Sequence, residues 1–182
     1  MRWLPCSGLE TAALALALAG CAAAPPAATP DYRSRAVTRT EGGLRVATAV
    51  LSASEGAAVY GAPLAGKGIQ PVWISVENRE DRAYYLLSPG LDPNFFPASE
   101  AAESMAADPS QPQQSAALDR RFRELAFRNP VLPGATASGF VLTNLDEGIK
   151  FVQLDLVSSG RAGRCRAGTL RSRRSRRGSR AR

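Results

Sequence analysis

The alternation of apolar and polar residues is clearest between Gln70 and Asn78 (QPVWISVEN). Val72, Ile74 and Val76 share one side, and Trp73, Ser75 and Glu77 share the other. Successive strand side chains point to opposite faces, so this stretch predicts a strand with one face in a core. The polar run Arg79 to Arg82 predicts a turn, and Ala83 to Ser88 (AYYLLS) its returning hairpin partner. Leu44 to Leu51 (LRVATAVL) alternates more loosely, with Val46 and Val50 on one face. Near the other end, Ser138 to Leu145 and Ile149 to Val157 flank Asp146-Glu147-Gly148, a short turn whose glycine tolerates positive φ. In the second of these strands Val152, Leu154 and Leu156 are expected inside, with Lys150, Gln153 and Asp155 outside.

Helical signals lie between the strands. Ser52-Ala53-Ser54-Glu55 has the Ser-x-x-Glu spacing of a capping box, predicting a short helix that ends near Tyr60. Ser99 to Ala107 reads as helical, and Pro109 to Gln114 as a loop. Ala117 to Phe127 carries Leu118, Phe122 and Leu125 at helical spacing, an amphipathic helix stopped by Pro130 and Pro133-Gly134. Five strands, Pro/Gly-rich turns and few helices predict a mainly β fold. The expected architecture is an antiparallel immunoglobulin-like sandwich over residues 33–158, short of the usual seven strands, with a short helical insertion.

Ahead of that domain the pattern is different. Thr11 to Gly20 (TAALALALAG) is apolar but too short to cross a bilayer, which takes about 20 residues. It suits the apolar region of a secretory signal peptide over residues 1–20. Leu18-Ala19-Gly20-Cys21 then resembles a bacterial lipobox. That resemblance implies a diacylglycerol on the Cys21 sulfur, cleavage before Cys21 and acylation of the new amino group. Several acyl chains, at about 0.8 kcal/mol per buried methylene, would hold a protein on a membrane. The competing reading is ordinary cleavage at an A-x-A site such as Ala22-Ala23-Ala24, which leaves no anchor. No Asp follows Cys21, and the sorting rule for lipoproteins then implies the outer membrane, on its periplasmic side. Residues 21–32, rich in Ala and Pro, read as a flexible tether.

Charge divides the chain. The net charge is +7 over 182 residues, yet residues 161–182 (RAGRCRAGTLRSRRSRRGSRAR) hold ten Arg and no acid. Residues 22–160 hold twelve Lys and Arg against fifteen Asp and Glu, a net −3. A nucleic-acid-binding domain would place its basic residues on the folded part, so nucleic acid is not an expected partner. Residues 159–182 read as a disordered Arg-rich tail.

Candidate chemistry is sparse. The chain has no His, which removes the commonest general base and metal ligand. Cys6, Cys21 and Cys165 have no zinc or disulfide spacing. No catalytic residue, metal site or cofactor is therefore assigned. Gly61 to Gly68 (GAPLAGKG) begins like a phosphate-binding loop, but Gly68 stands where Ser or Thr is needed, and a strand follows instead of a helix. Asp92, Asp146, Glu147 and Asp155 read as turn and outward-facing residues. Among Trp73, Tyr84, Tyr85, Phe95 and Phe96, most are expected to pack in the core, with Trp73, Tyr84 and Tyr85 the candidates for a binding groove.

Three stretches carry a family resemblance: RAVTRTEGGLRVATAVLS (35–52), KGIQPVWISVENREDRAYYLLSPGLDPNFF (67–96) and FRNPVLPGATASGFVLTNLDEG (127–148). They resemble the amino-terminal, sandwich-like region of bacterial lipoproteins that carry an LssY-like C-terminal domain. The resemblance implies a further strand rich in Phe and Val after Val157 and then that second domain, and it implies no catalytic residues. Here the Arg/Ser/Gly run begins instead, in the manner of GC-rich coding sequence read out of frame. A frameshift near Ser158 would leave a sheet edge beside Val157 unpaired. The competing reading is a genuine basic arm.

These features lead to a non-enzymatic, lipid-anchored envelope protein, serving binding or assembly with an unidentified envelope partner. The alternatives are an inactive fragment of a two-domain envelope enzyme, and a polyanion binder acting through the basic tail.

Overall fold

The computed structural model describes residues 31–106, 112–146, 148–158 and 164–173. Among the described residues there are seven strands: β1 (Val37–Glu41), β2 (Leu44–Val50), β3 (Ile69–Asn78), β4 (Tyr84–Leu87), β5 (Thr136–Asn144), β6 (Ile149–Ser158) and β7 (Arg164–Arg173). Four helices join them: α1 (Ala53–Tyr60), α2 (Ser88–Leu91), α3 (Ala98–Met105) and α4 (Pro112–Leu125). The fold is mainly antiparallel sheet, as the alternation predicts. One sheet has the order β1-β2-β3-β5 and the other β4-β6-β7.

The two expected hairpins are not formed. β3 pairs with β2 and β5, whereas β4 pairs with β6, so the turn after Asn78 carries the chain from one sheet to the other. Asn78, fully buried, holds that crossing. Its Nδ2 donates to the carbonyls of Arg82 at 2.8 Å and Val131 at 3.1 Å, and its Oδ1 accepts from the Glu80 N–H at 2.9 Å. The turn after Asn144 likewise passes from β5 to β6, in opposite sheets. Alternation tells which face of a strand is buried, but says nothing about which neighbour completes its backbone hydrogen bonds.

The inner faces of the two sheets share one core. Leu44, Val46, Val72, Ile74 and Val76 from the first sheet meet Tyr84, Leu86, Val152, Leu154 and Leu156 from the second. Burying each such aliphatic side chain contributes about 1.5–3 kcal/mol. Lys150 lies on this same side of β6, only 5% exposed, against the expectation that it faces solvent. Period-two spacing requires it, because Lys150 is an even number of residues from Val152, Leu154 and Leu156.

A second core covers the other face of the first sheet, making three layers where two were expected. Tyr60 of α1, Ala101 and Ala102 of α3 and Phe122 of α4 pack against Trp73, Phe140 and Leu142. Trp73 stands opposite Ala49 on β2 and Phe140 on β5, so a small neighbour makes room for the indole. α1 begins as its sequence predicts: the Ser52 hydroxyl accepts from the Glu55 N–H, and the Glu55 carboxylate accepts from the Ser52 N–H at 2.7 Å. α4 presents Phe122 to this core, with Leu118 and Leu125 at its margin. It starts at Pro112, inside the stretch expected to be a loop.

β7 departs most from expectation. Residues 164–173 form a strand along β6, with Val157 opposite Arg164 and Phe151 opposite Arg171. The edge beside Val157 is thus paired rather than open, and the expected disordered tail does not describe these ten residues. Pairing is possible because the ladder uses backbone groups, which every residue but Pro supplies.

Candidate functional site

The residues expected to carry function do not converge. Leu18, Ala19, Gly20 and Cys21 lie outside the described residues. Trp73 is 9% exposed on the helix-covered face of the first sheet, with Tyr32 tilted against it at 5.8 Å and the Arg33 guanidinium 5.4 Å from its ring centroid. Tyr84 lies in the core between the sheets. Tyr85, its neighbour in β4, faces the opposite side and is 41% exposed. Consecutive strand residues cannot share a face, and Trp73 is in the other sheet, so these three line no common groove.

The glycine-rich stretch is structural. Gly61 caps α1 and Gly68 caps a single 3-10 turn (Leu64–Lys67), both at a φ of 71°. That left-handed conformation is costly for residues with a Cβ. Nothing about the stretch presents a helix N-terminus to a phosphate.

Two of the four carboxylates singled out are drawn together by Lys150. Its ammonium donates to the Asn144 carbonyl and to Asp146 Oδ2, each at 2.7 Å, and lies 4.0 Å from Asp92 Oδ2. Asp92 is itself held, its Oδ2 accepting from the Asn144 N–H at 2.8 Å and its Oδ1 from the Asn94 N–H at 2.9 Å. This is a filled electrostatic joint between the β5–β6 turn and the loop after α2. Every group has a partner, so it leaves no room for substrate. Asp155 is elsewhere, packed so closely on Gly90 that a Cβ there would lie 2.6 Å from Asp155 Oδ2, and its Oδ1 is buried without a hydrogen-bond partner.

Sequence reasoning missed a concave feature among the described residues. A half-open cleft of about 160 Å³ lies where α4 and the segment before α3 meet β5. Six of its twelve lining residues are aromatic and none is charged: Tyr60, Phe95, Phe96, Phe122, Phe127 and Phe140 supply the rings. The chain has six Phe in all, and five of them are here. Beneath it the Tyr60 ring meets Phe122 edge-on at 4.6 Å and Phe140 at 5.7 Å. Burial pushes the Tyr60 phenol far above its ordinary pKa, so it stays neutral.

Backbone bonds hold the walls. The Phe96 N–H donates to the Leu142 carbonyl and the Phe127 N–H to the Phe140 carbonyl, each at 2.9 Å. Phe127 comes so near β5 that a Cβ on Gly139 would lie 2.5 Å from its Cα. The available signals were Phe95-Phe96 in the Pro-rich passage and Phe122 on the apolar stripe of α4. Only the fold unites them, since these residues are spread over 80 positions from Tyr60 to Phe140.

Among the described residues no helix is long and apolar enough to cross a membrane, and no group of three or more His, Cys, Asp or Glu could hold a metal ion. Comparison of the chain with protein-family models, with curated proteins and with solved structures gave no match.

Proposed function

We propose that this is a lipid-anchored protein of the bacterial cell envelope, its sandwich domain serving binding or assembly rather than catalysis. One observation carries the reading: Leu18-Ala19-Gly20-Cys21 ends a short apolar run and is followed by an Ala/Pro-rich spacer. The aliphatic, small, small, Cys order suits acylation of the Cys21 sulfur, and the spacer lets the domain stand off the lipid. The absence of Asp after Cys21 favours the outer membrane, periplasmic face. The domain belongs in this reading with sandwiches of the immunoglobulin-like kind. It departs from the constant-type arrangement, in which the third strand crosses to the second sheet, because here β3 stays beside β2.

Labelling with a radioactive or clickable palmitate tests the anchor. The protein should take up label, Cys21→Ser should lose it, and globomycin should cause precursor to accumulate. Persistent labelling of Cys21→Ser would dismiss the proposal. The resemblance to lipoproteins with an LssY-like C-terminal domain supports the same location. Translating the nucleotides after codon 157 in the other two frames tests whether a Phe/Val-rich strand and a second domain were lost there.

A second reading is favoured by the pairing of β7 with β6, which makes part of the basic run a strand of the domain. In that reading residues 161–182 bind a polyanion. Affinity would then fall steeply with salt. Deleting residues 161–182 should abolish retention on heparin, and unchanged retention excludes the reading.

A further inference from the structure

The cleft between α4, the segment before α3 and β5 is a site independent of any anchor. We propose that it binds an uncharged molecule the size of a single ring. Three observations set this chemistry. Its volume of about 160 Å³ matches the roughly 150 Å³ of an apolar cavity able to hold one benzene. Phe95, Phe96 and Phe127 are only partly buried, so their rings can take another ring in offset or edge-on contact, while Tyr60, Phe122 and Phe140 are buried behind them. No lining residue is charged, so an ionised ligand would lose its hydration without gaining a partner.

Tyr60 packs edge-to-face on Phe122 and Phe140, and the Phe96–Leu142 and Phe127–Phe140 backbone bonds tie both walls to β5. A space between packed rings that does not collapse forfeits contacts on one side. A ligand that fills it restores them without displacing side chains. Polar atoms share the exposed lining about equally with apolar ones, the Ser88 hydroxyl among them. Selection rests on shape, on lack of charge and on a neutral ligand's ability to meet those polar atoms.

The test uses the full-length chain carrying Cys21→Ser, titrated with toluene and followed by the methyl NMR signals of Ala98, Ala126, Val141 and Leu142. Saturable shifts confined to those methyls are expected, with benzoate at least about tenfold weaker because its carboxylate must be desolvated. Ala98→Leu should fill the mouth and remove the toluene response. Phe95→Ala widens the cleft and should make naphthalene bind more tightly than it does to the parent. That gain serves as the criterion if Ala98→Leu does not fold. No saturable shift, equal binding of benzoate, or no gain of naphthalene binding in Phe95→Ala would overturn the proposal.

Discussion

The side chain of Asn129 pairs with the backbone of Leu86 as a strand residue would. Its Oδ1 accepts from the Leu86 N–H and its Nδ2 donates to the Leu86 carbonyl, both at 2.9 Å. Two residues on, Val131 exchanges backbone hydrogen bonds with Tyr84, at 2.8 and 3.0 Å. Together they finish the outer edge of β4 without an eighth strand. An open edge would invite pairing with another chain, and a single amide side chain here satisfies both groups of one residue.

Replacing that amide should therefore loosen the edge. Asn129→Ala removes a donor and an acceptor at a part-buried position, and a loss of about 1–2 kcal/mol is expected in urea unfolding. Asn129→Asp keeps the acceptor but aims a carboxylate at the Leu86 carbonyl. It should be no better than Ala, and a fully stable Asp variant would contradict the pairing.

Gly139 is needed for a different reason, the closeness of Phe127. A methyl group at 139 would meet Phe127 Cα at 2.5 Å and its N at 2.6 Å, both backbone atoms. Gly139→Ala should cost about 2–3 kcal/mol, since the wall must move as a unit. Gly66, with nothing within 4 Å of a built Cβ, is the control. Gly66→Ala should change the urea midpoint little.

The Lys150 joint separates buried from exposed electrostatics. Lys150→Met would leave the Asn144 carbonyl without its ammonium donor and Asp92 without its nearby counter-charge in a nearly dry place. Its expected cost is about 3 kcal/mol. Asp146, half-exposed, is worth less: Asp146→Asn should cost under about 1 kcal/mol. Thermal unfolding of the two variants should rank them in that order, and the reverse order would place Lys150 in solvent.

Acid should weaken the start of α1. Hydrogen bonding to the Arg35 guanidinium, with further bonds to the Ser52 backbone and hydroxyl, lowers the Glu55 pKa from 4.5 to about 2. A carboxylate depressed in the folded state stabilises fully above its unfolded pKa. That contribution is lost as pH falls from about 4.5 through about 2. Solvent screening of this partly exposed pair reduces its worth to about 1 kcal/mol. Unfolding measured from pH 6 to pH 2 should show this loss in the parent chain and not in Glu55→Gln. Identical pH profiles would count against the bridge.

Much of the local structure was legible because its causes are local. The Ser52–Glu55 capping box sets the start of α1, the stripe of Leu118, Phe122 and Leu125 orients α4, and Val72, Ile74 and Val76 mark the inner face of β3. β1 was not anticipated, because all five of its residues are exposed and it lacks an apolar alternation. It exists because β2 offers an edge to pair with. The candidate groove of Trp73, Tyr84 and Tyr85 failed on parity and on sheet membership. Neither the cleft nor the Lys150 joint has a compact signature, since each gathers residues from distant segments.

The sequence by itself determined which residues seek a core, where α1 begins and how charge divides between residues 22–160 and residues 161–182. Those properties follow from side-chain chemistry and from periods of 2 and 3.6, which act within a few residues. Tertiary structure alone decided that β3 and β4, and β5 and β6, separate into opposite sheets, that helices cover a second core, and that five phenylalanines share one cleft. Backbone hydrogen bonds are alike along every strand, so a strand's partner is chosen by how both of its faces can be buried at once. That choice involves the whole chain.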